Sequence, residues 1–181
     1  MRTTFKKKRE ALRDLLRSQD IQNAVIFCNR KRDISTLLSS MKRHGFSATG
    51  LHGDMTQSAR LAALDEFKNG QIPLLVASDV AARGLDISSV SHVFNFDVPS
   101  NAEDYVHRIG RTGRAGRHGH AFTLIAGEDD EKAILAIEKL TGQPIPVLSN
   151  TDRQSKKEHS TDDAGKSGKK PQESRTLNKT A

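Results

Sequence analysis

The chain alternates short strand-forming runs with stretches of helical period, and few folds accept that order. Ala24-Val-Ile-Phe-Cys28, Phe46 to Leu51, Leu74-Leu-Val-Ala77, Val90 to Phe96 and His120 to Ile125 are the runs. The first is continuously apolar, as suits a strand covered on both faces of a parallel sheet. Residues 6–17 set Leu12, Leu15 and Leu16 on one side of a helix. Ile34, Leu37, Leu38 and Met41 recur at i, i+3, i+4 and i+7 and stop near Gly45, with Asn29 as the expected cap. Thr56 is the expected cap of a helix over Gln57 to Lys68, with Leu61, Leu64 and Phe67 inward and Asn69-Gly70 ending it. Ser100-Asn-Ala-Glu103 has the capping-box pattern. Glu128 to Leu140 reads as the last helix, packing Ala133, Ile134, Ile137 and Leu140. Strands joined by helices through short loops require right-handed crossovers, hence an α/β domain with a mainly parallel sheet. Ligands of such sheets gather at the carboxyl ends of the strands. Asn29, Gly53, Ser78 and Asp79 all fall there.

One stretch demands an external partner. Tyr105-Val-His-Arg-Ile-Gly-Arg-Thr-Gly-Arg-Ala-Gly116 carries Arg108, Arg111 and Arg114 at a spacing of three, followed by Arg117, with no acid among them. Glycine costs about 1 kcal/mol relative to alanine inside a helix, so Gly110, Gly113 and Gly116 predict a helix that ends near Ile109 and feeds a loop. Arginine keeps its charge and matches phosphate oxygens with a planar fork of donors. Several such forks without a local carboxylate call for a polyanion.

These residues, with three others, resemble a known family. The arginine stretch is similar to the last motif of DEAD-box RNA helicases, and Ser78-Asp-Val-Ala-Ala-Arg-Gly-Leu-Asp86 to the motif before it. Val25-Ile-Phe-Cys-Asn29 and His52-Gly-Asp-Met-Thr-Gln-Ser-Ala-Arg60 fill the two earlier places in order. The resemblance covers roughly residues 6–140 and concerns only the second of the family's two RecA-like domains. It implies a three-layer α/β/α fold and assigns the arginine-finger role to Arg111 and Arg114. It places Asp86, with Gly84, on the ATP side, Asp86 accepting from the ribose. It sets Arg60 on an RNA phosphate, Asn29, Gly53 and Ser78 near the RNA backbone, and Gln57 beside them as an orienting group. Ser78 stands where the family usually has threonine, which keeps the hydroxyl and loses a methyl. Asp79, Arg83, His107 and Arg108 would couple the motifs to each other and to a facing domain. ATP with Mg²⁺ would belong to the intact two-domain enzyme, and RNA and an N-terminal RecA-like domain would be the partners.

What the chain lacks shapes the mechanism. A nucleotide hydrolase needs a glycine-rich phosphate loop and a carboxylate for magnesium. Gly165-Lys-Ser167 is a chance match, since Ser160 stands where the loop needs glycine. No Asp-Glu-Ala-Asp pattern occurs. The expectation is that this chain alone binds no cofactor and hydrolyses no ATP, and instead completes a site held by another domain. A free-standing RNA-binding or regulatory module, or a truncated gene product, is the alternative, and half of a DNA helicase a further one.

Composition agrees. The 181 residues allow one domain, drawn at 1–147, and a tail, 148–181. Residues 151–181 hold eight Lys or Arg against five Asp or Glu, with Leu177 as their sole large aliphatic residue. Such a segment buries too little apolar surface to offset chain entropy and is read as disordered. The net charge of +7 favours an anionic partner. The lone Cys28 excludes a disulfide framework within the chain. The basic N-terminus has no apolar region behind it, and no apolar run approaches the ~20 residues that span a bilayer. A soluble, cytoplasmic product without a membrane partner is expected. The remaining histidines show no metal-ligand spacing, so no metal site is expected.

Overall fold

The computed structural model describes residues 1–83, 87, 90–114, 116 and 118–148. The tail from Ser149 onward, and Gly84 and Asp86, lie outside the described residues. The elements run α1 (Lys8–Ser18), β1 (Ala24–Phe27), α2 (Lys31–Arg43), β2 (Ala48–Leu51), α3 (Gln57–Lys68) and β3 (Leu74–Ala77). A short α4 (Asp79–Ala82), then β4 (His92–Asn95), α5 (Ala102–Ile109), β5 (His120–Thr123) and α6 (Glu128–Thr141) complete the order. The five strands form one parallel sheet in the order β2-β3-β1-β4-β5. β1 lies at its centre, with Ala24 opposite both Leu74 and His92.

Alternation along the strands sorts the core into two layers. Ala24 and Ile26 face one side, where they meet Leu12, Leu15 and Leu16 of α1 and Ile34, Leu37 and Met41 of α2. Val25 and Phe27 face the other, against Leu64 and Phe67 of α3. β1, β3 and β4 are buried along their whole length; β1 and β3 accordingly read as unbroken apolar runs, while β4 also buries His92 and Asn95. A smaller cluster of Tyr105, Ile125, Ile134 and Ile137 joins α5 to α6. No helix among the described residues is long and apolar enough to cross a membrane.

Several expectations need correction. Leu61 and Leu140 are 50% and 56% exposed, not packed. Both stand at the end of a series spaced by three, and each step of three turns a side chain back by about 60° on the helix. The stripe therefore leaves them behind, and α3 centres on Ala63, Leu64 and Phe67 instead. α5 is capped by Asn101 rather than Ser100: its carboxamide oxygen accepts from the Asp104 backbone at 2.7 Å. Asn29 does not cap α2; Arg30 holds that position without a side-chain bond. The Thr56 cap of α3 is present, its hydroxyl accepting from Ala59 N at 3.3 Å.

Phe94, 1% exposed and stacked on Phe122 at 5.3 Å, joins the two strands on the α1 side of the sheet. Its truncation, Phe94→Ala, should lower the unfolding free energy by about 3–5 kcal/mol, seen in urea as an earlier midpoint at unchanged slope. Asn101→Ala should cost about 1 kcal/mol in the same measurement.

Candidate functional site

The residues singled out above meet along the carboxyl edge of the sheet in two groups, and the first centres on Arg108. Helix α5 buries one face through Tyr105 and Arg108, one turn apart. That geometry drives the Arg108 side chain, 1% exposed, under the edge. Its Nε and Nη2 donate to the two oxygens of Asp79, both at 2.6 Å. Nη2 also donates to Asn29 Oδ1 at 2.7 Å, and Nη1 to the Asp97 carbonyl at 2.6 Å and to Asn95 Oδ1 at 3.4 Å. The guanidinium lies 5.1 Å from the Phe27 ring. One side chain thus ties together the ends of β1, β3 and β4. A buried charge is tolerated only when its donors are this fully used.

Asp97 extends the network. Its carboxylate accepts from Asn29 N at 3.0 Å and from Lys8 Nζ at 3.0 Å. The Lys8 side chain, 7% exposed, also stands 3.6 Å from Asp130. Asn29, expected beside RNA, has its carboxamide committed at both ends, since Nδ2 donates to the Val98 carbonyl at 2.8 Å. Beneath it Cys28 is wholly buried, and burial, with Asp97 and Asp33 adding to it, pushes its thiol upward from the ordinary range.

Beyond Arg108 the chain leaves the helix at Gly110 and turns, Gly113 taking φ 68, a conformation that glycine adopts without strain. Val90 N donates to the Arg111 carbonyl at 3.1 Å, and the Thr112 hydroxyl donates to the carbonyls of Val90 and Ser91. Gly119 closes over this turn: a Cβ there would collide with Thr112 Oγ1 and the Gly113 backbone. Arg111, half-buried, lines an open hollow of about 230 Å³ together with Phe27, Asp79, Arg83, His107 and Arg108. Arg114 is exposed, its Nε donating to the Gly110 carbonyl. His107 is exposed at the same mouth. Arg83, 70% exposed, pairs with Asp104 at 2.9 Å, a contact that water weakens.

The second group lies at the β2–β3 end. Arg60 reaches from α3 to the Ala81 carbonyl, Nη2 donating at 3.3 Å, while its Nε is buried without a partner. His52 Nδ1 is likewise buried and unpartnered. Gly53 is exposed, with no heavy atom near the place where a Cβ would stand, so another backbone can approach. Gln57 is exposed and Ser78 half-buried, Ser78 N donating to the Leu51 carbonyl at 3.3 Å. Helix α4 links the groups, because Ala81 receives Arg60 while Asp79 holds Arg108.

Sequence reasoning passed over Lys8, Asn95, Asp97, Thr112 and Gly119. Asp97, like Asn29 and Asp79, stands two residues past the end of a strand, which was a usable signal. A larger hollow, about 390 Å³, lies between β5 and α6, lined mostly by aliphatic residues such as Ile109, Ile134 and Ile145. It lacks the cluster of cations that marks the edge.

Known proteins resemble this chain in sequence and fold. Residues 7–116 match the helicase conserved C-terminal domain. The chain is 52% identical over 137 residues to the DEAD-box ATP-dependent RNA helicase CshA of Bacillus subtilis (strain 168), covering 75% of this chain and 27% of that protein. CshA of Geobacillus kaustophilus (strain HTA426) is 52% identical over 120 residues, 66% of this chain and 26% of that one. The chain therefore spans about a quarter of the length of the curated relatives it matches. Among solved structures, the E. coli DEAD-box protein SrmB, bound to regulator of ribonuclease activity A, superposes with a TM-score of 0.76 at 34% identity, covering 84% of this chain and 89% of that one. The C-terminal domain of the DEAD-box protein Dbp5 gives 0.74 at 31%, with 87% and 91% covered. A match over more than half of the chain, and a solved domain covered almost end to end, leave one placement: the chain belongs to the helicase conserved C-terminal domain family and is a RecA-like domain of the DEAD-box type.

Proposed function

We propose that this chain is the second domain of a two-domain, ATP-dependent RNA helicase. It holds RNA backbone at the β2–β3 end of its sheet and lends Arg111 and Arg114 to ATP carried with magnesium by an N-terminal RecA-like domain. The observation that carries the reading is the contrast within one motif. Arg108 is buried and saturated with acceptors, whereas Arg111 and Arg114, three and six residues on, stand at the mouth of the hollow or in solvent.

The residues at the hollow fit the phosphate end of a nucleotide. Asp79 and Asp104 at the hollow are engaged by Arg108 and Arg83, so an approaching polyanion meets excess positive charge. Among the described residues no group of three or more His, Cys, Asp and Glu could hold a metal ion. Magnesium would be held from the facing domain. ATP supplies the phosphoryl group whose transfer spreads negative charge, and an arginine finger contributes roughly 10³–10⁵ in rate, about 4–7 kcal/mol. Arg108 would position the helix end, while Thr112 and Gly119 hold the turn so that both fingers keep their reach. Gly84 and Asp86 would complete the ATP side.

At the other end Arg60, Gly53, Ser78 and Gln57 would receive phosphates. Contacts of this kind position RNA without reading its sequence. Dbp5 from S. cerevisiae, 30% identical over 86% of this chain with a TM-score of 0.75, has been solved bound to RNA and ADP BeF3, which supports RNA and a nucleotide as ligands of an enzyme containing such a domain. Coupling would pass through α4, since Asp79 and Ala81 sit within one turn of each other. The single cysteine, Cys28, suits a reducing, cytoplasmic setting.

The isolated chain should turn over no ATP, and joined to its first domain it should show RNA-stimulated hydrolysis; absence of stimulation in the joined protein defeats the proposal. In that protein Arg111→Ala should cut turnover by about 10³-fold or more with RNA affinity largely kept. Arg60→Ala should instead raise the RNA concentration needed for half-maximal stimulation. An exchange of these phenotypes would overturn the assignment. Gly119→Ala should lower turnover at saturating RNA without changing that concentration, because it displaces the finger turn and not the RNA end.

A further inference from the structure

We propose that the exposed flank of α1 and α2 is a second RNA-backbone surface, an arginine track that continues from the motif edge down the side of the domain. The inference rests on the RNA reading of that edge. On α1, Arg9, Arg13 and Arg17 recur at i, i+4 and i+8. They share one flank at intervals of about 6 Å along the axis, close to the separation of successive phosphates in an extended strand. Glu10 and Asp14 border this row, Asp14 one turn before Arg17.

The basic flank faces α2, where Arg13 Nη1 donates to Ser40 Oγ at 3.2 Å. Thr36 and Arg43 lie outward of Ser40 on the same side, with Arg32 a turn above. Arg17 is laid over the Phe46 ring at 5.1 Å, which restrains a long side chain before any ligand arrives. Acid is scarce. Asp33 is the one acidic residue of α2, and Asp14 reaches Arg17 only at 3.9 Å in an exposed pair that contributes little. Arg9, Arg13, Arg32 and Arg43 form no ion pair with any described residue.

Two features select a phosphate backbone over other anions. Arginine forks set in a row match phosphate oxygens, which accept from them. No large hydrophobic residue is exposed on either helix, so neither a bilayer nor a protein hot spot has an apolar anchor there. The track also starts in the right place. α1 begins at Lys8, fastened to Asp97, and α2 begins just past Asn29, so both helices descend from the carboxyl edge of the sheet that carries the motif residues.

The test is anisotropy of a labelled hexauridylate and of a strand four times as long, titrated with the full chain over a series of salt concentrations. The hexamer can occupy the edge alone, whereas the longer strand can also follow the track. Arg9→Gln combined with Arg43→Gln should lower the salt slope for the long strand by about 1.4, or about 0.7 for each phosphate contact removed, and leave the hexamer unchanged. Arg9→Lys with Arg43→Lys should restore the slope, since counterion release follows charge, and it controls for misfolding. An unchanged slope on the long strand, or equal losses at both lengths, overturns the track. So does loss of binding to phosphatidylserine vesicles with RNA binding intact. Failure of the unaltered chain to bind the hexamer would sink the RNA reading of the motif edge, a result separate from any slope difference on the long strand.

Discussion

The paired hydrogen bonds from Arg108 to Asp79 are the contact on which the edge depends. A guanidinium taken out of water loses several kcal/mol of solvation, and nothing apolar can return that. Here the return comes from acceptors contributed by the ends of three strands, so the charge is stable only when those strands sit in register. The arginine therefore acts less as a cation than as a gauge of strand position. Because it is used up in this way, the positive charge offered to a ligand falls to the residues that follow it.

The same logic explains why Asn29 behaves as it does. A short polar residue just ahead of a helix is ordinarily a cap, worth about 1 kcal/mol. A hydrogen bond to a charged group is worth about 1.5–3 kcal/mol, and Asn29 has one available from Arg108. The stronger claim wins, and α2 starts without a side-chain cap. A residue that seemed to serve secondary structure serves the motif edge instead.

Local pattern placed the strands to within about two residues, because a buried parallel strand is a short apolar run and little else in the chain looks like one. It also ended α5 correctly at Ile109, where glycine begins. It failed where the deciding contact is remote. Lys8 looked like one more surface base, yet its partners Asp97 and Asp130 lie far along the chain and nothing near it in sequence announces them. Gly119 resembled ordinary loop punctuation, although its missing side chain is what lets the arginine turn lie flat. Leu61 and Leu140 failed for a different reason, since period alone does not say where a stripe is centred.

Asp97 stands between Lys8, at the head of α1, and Asn29, whose other side holds Arg108. Any polypeptide that arrives ahead of α1 is thereby moored to the same carboxylate that steadies the motif edge. A tug transmitted along such a connecting segment would reach the arginines without crossing the sheet, so the start of α1 and the motif edge share a single anchor point.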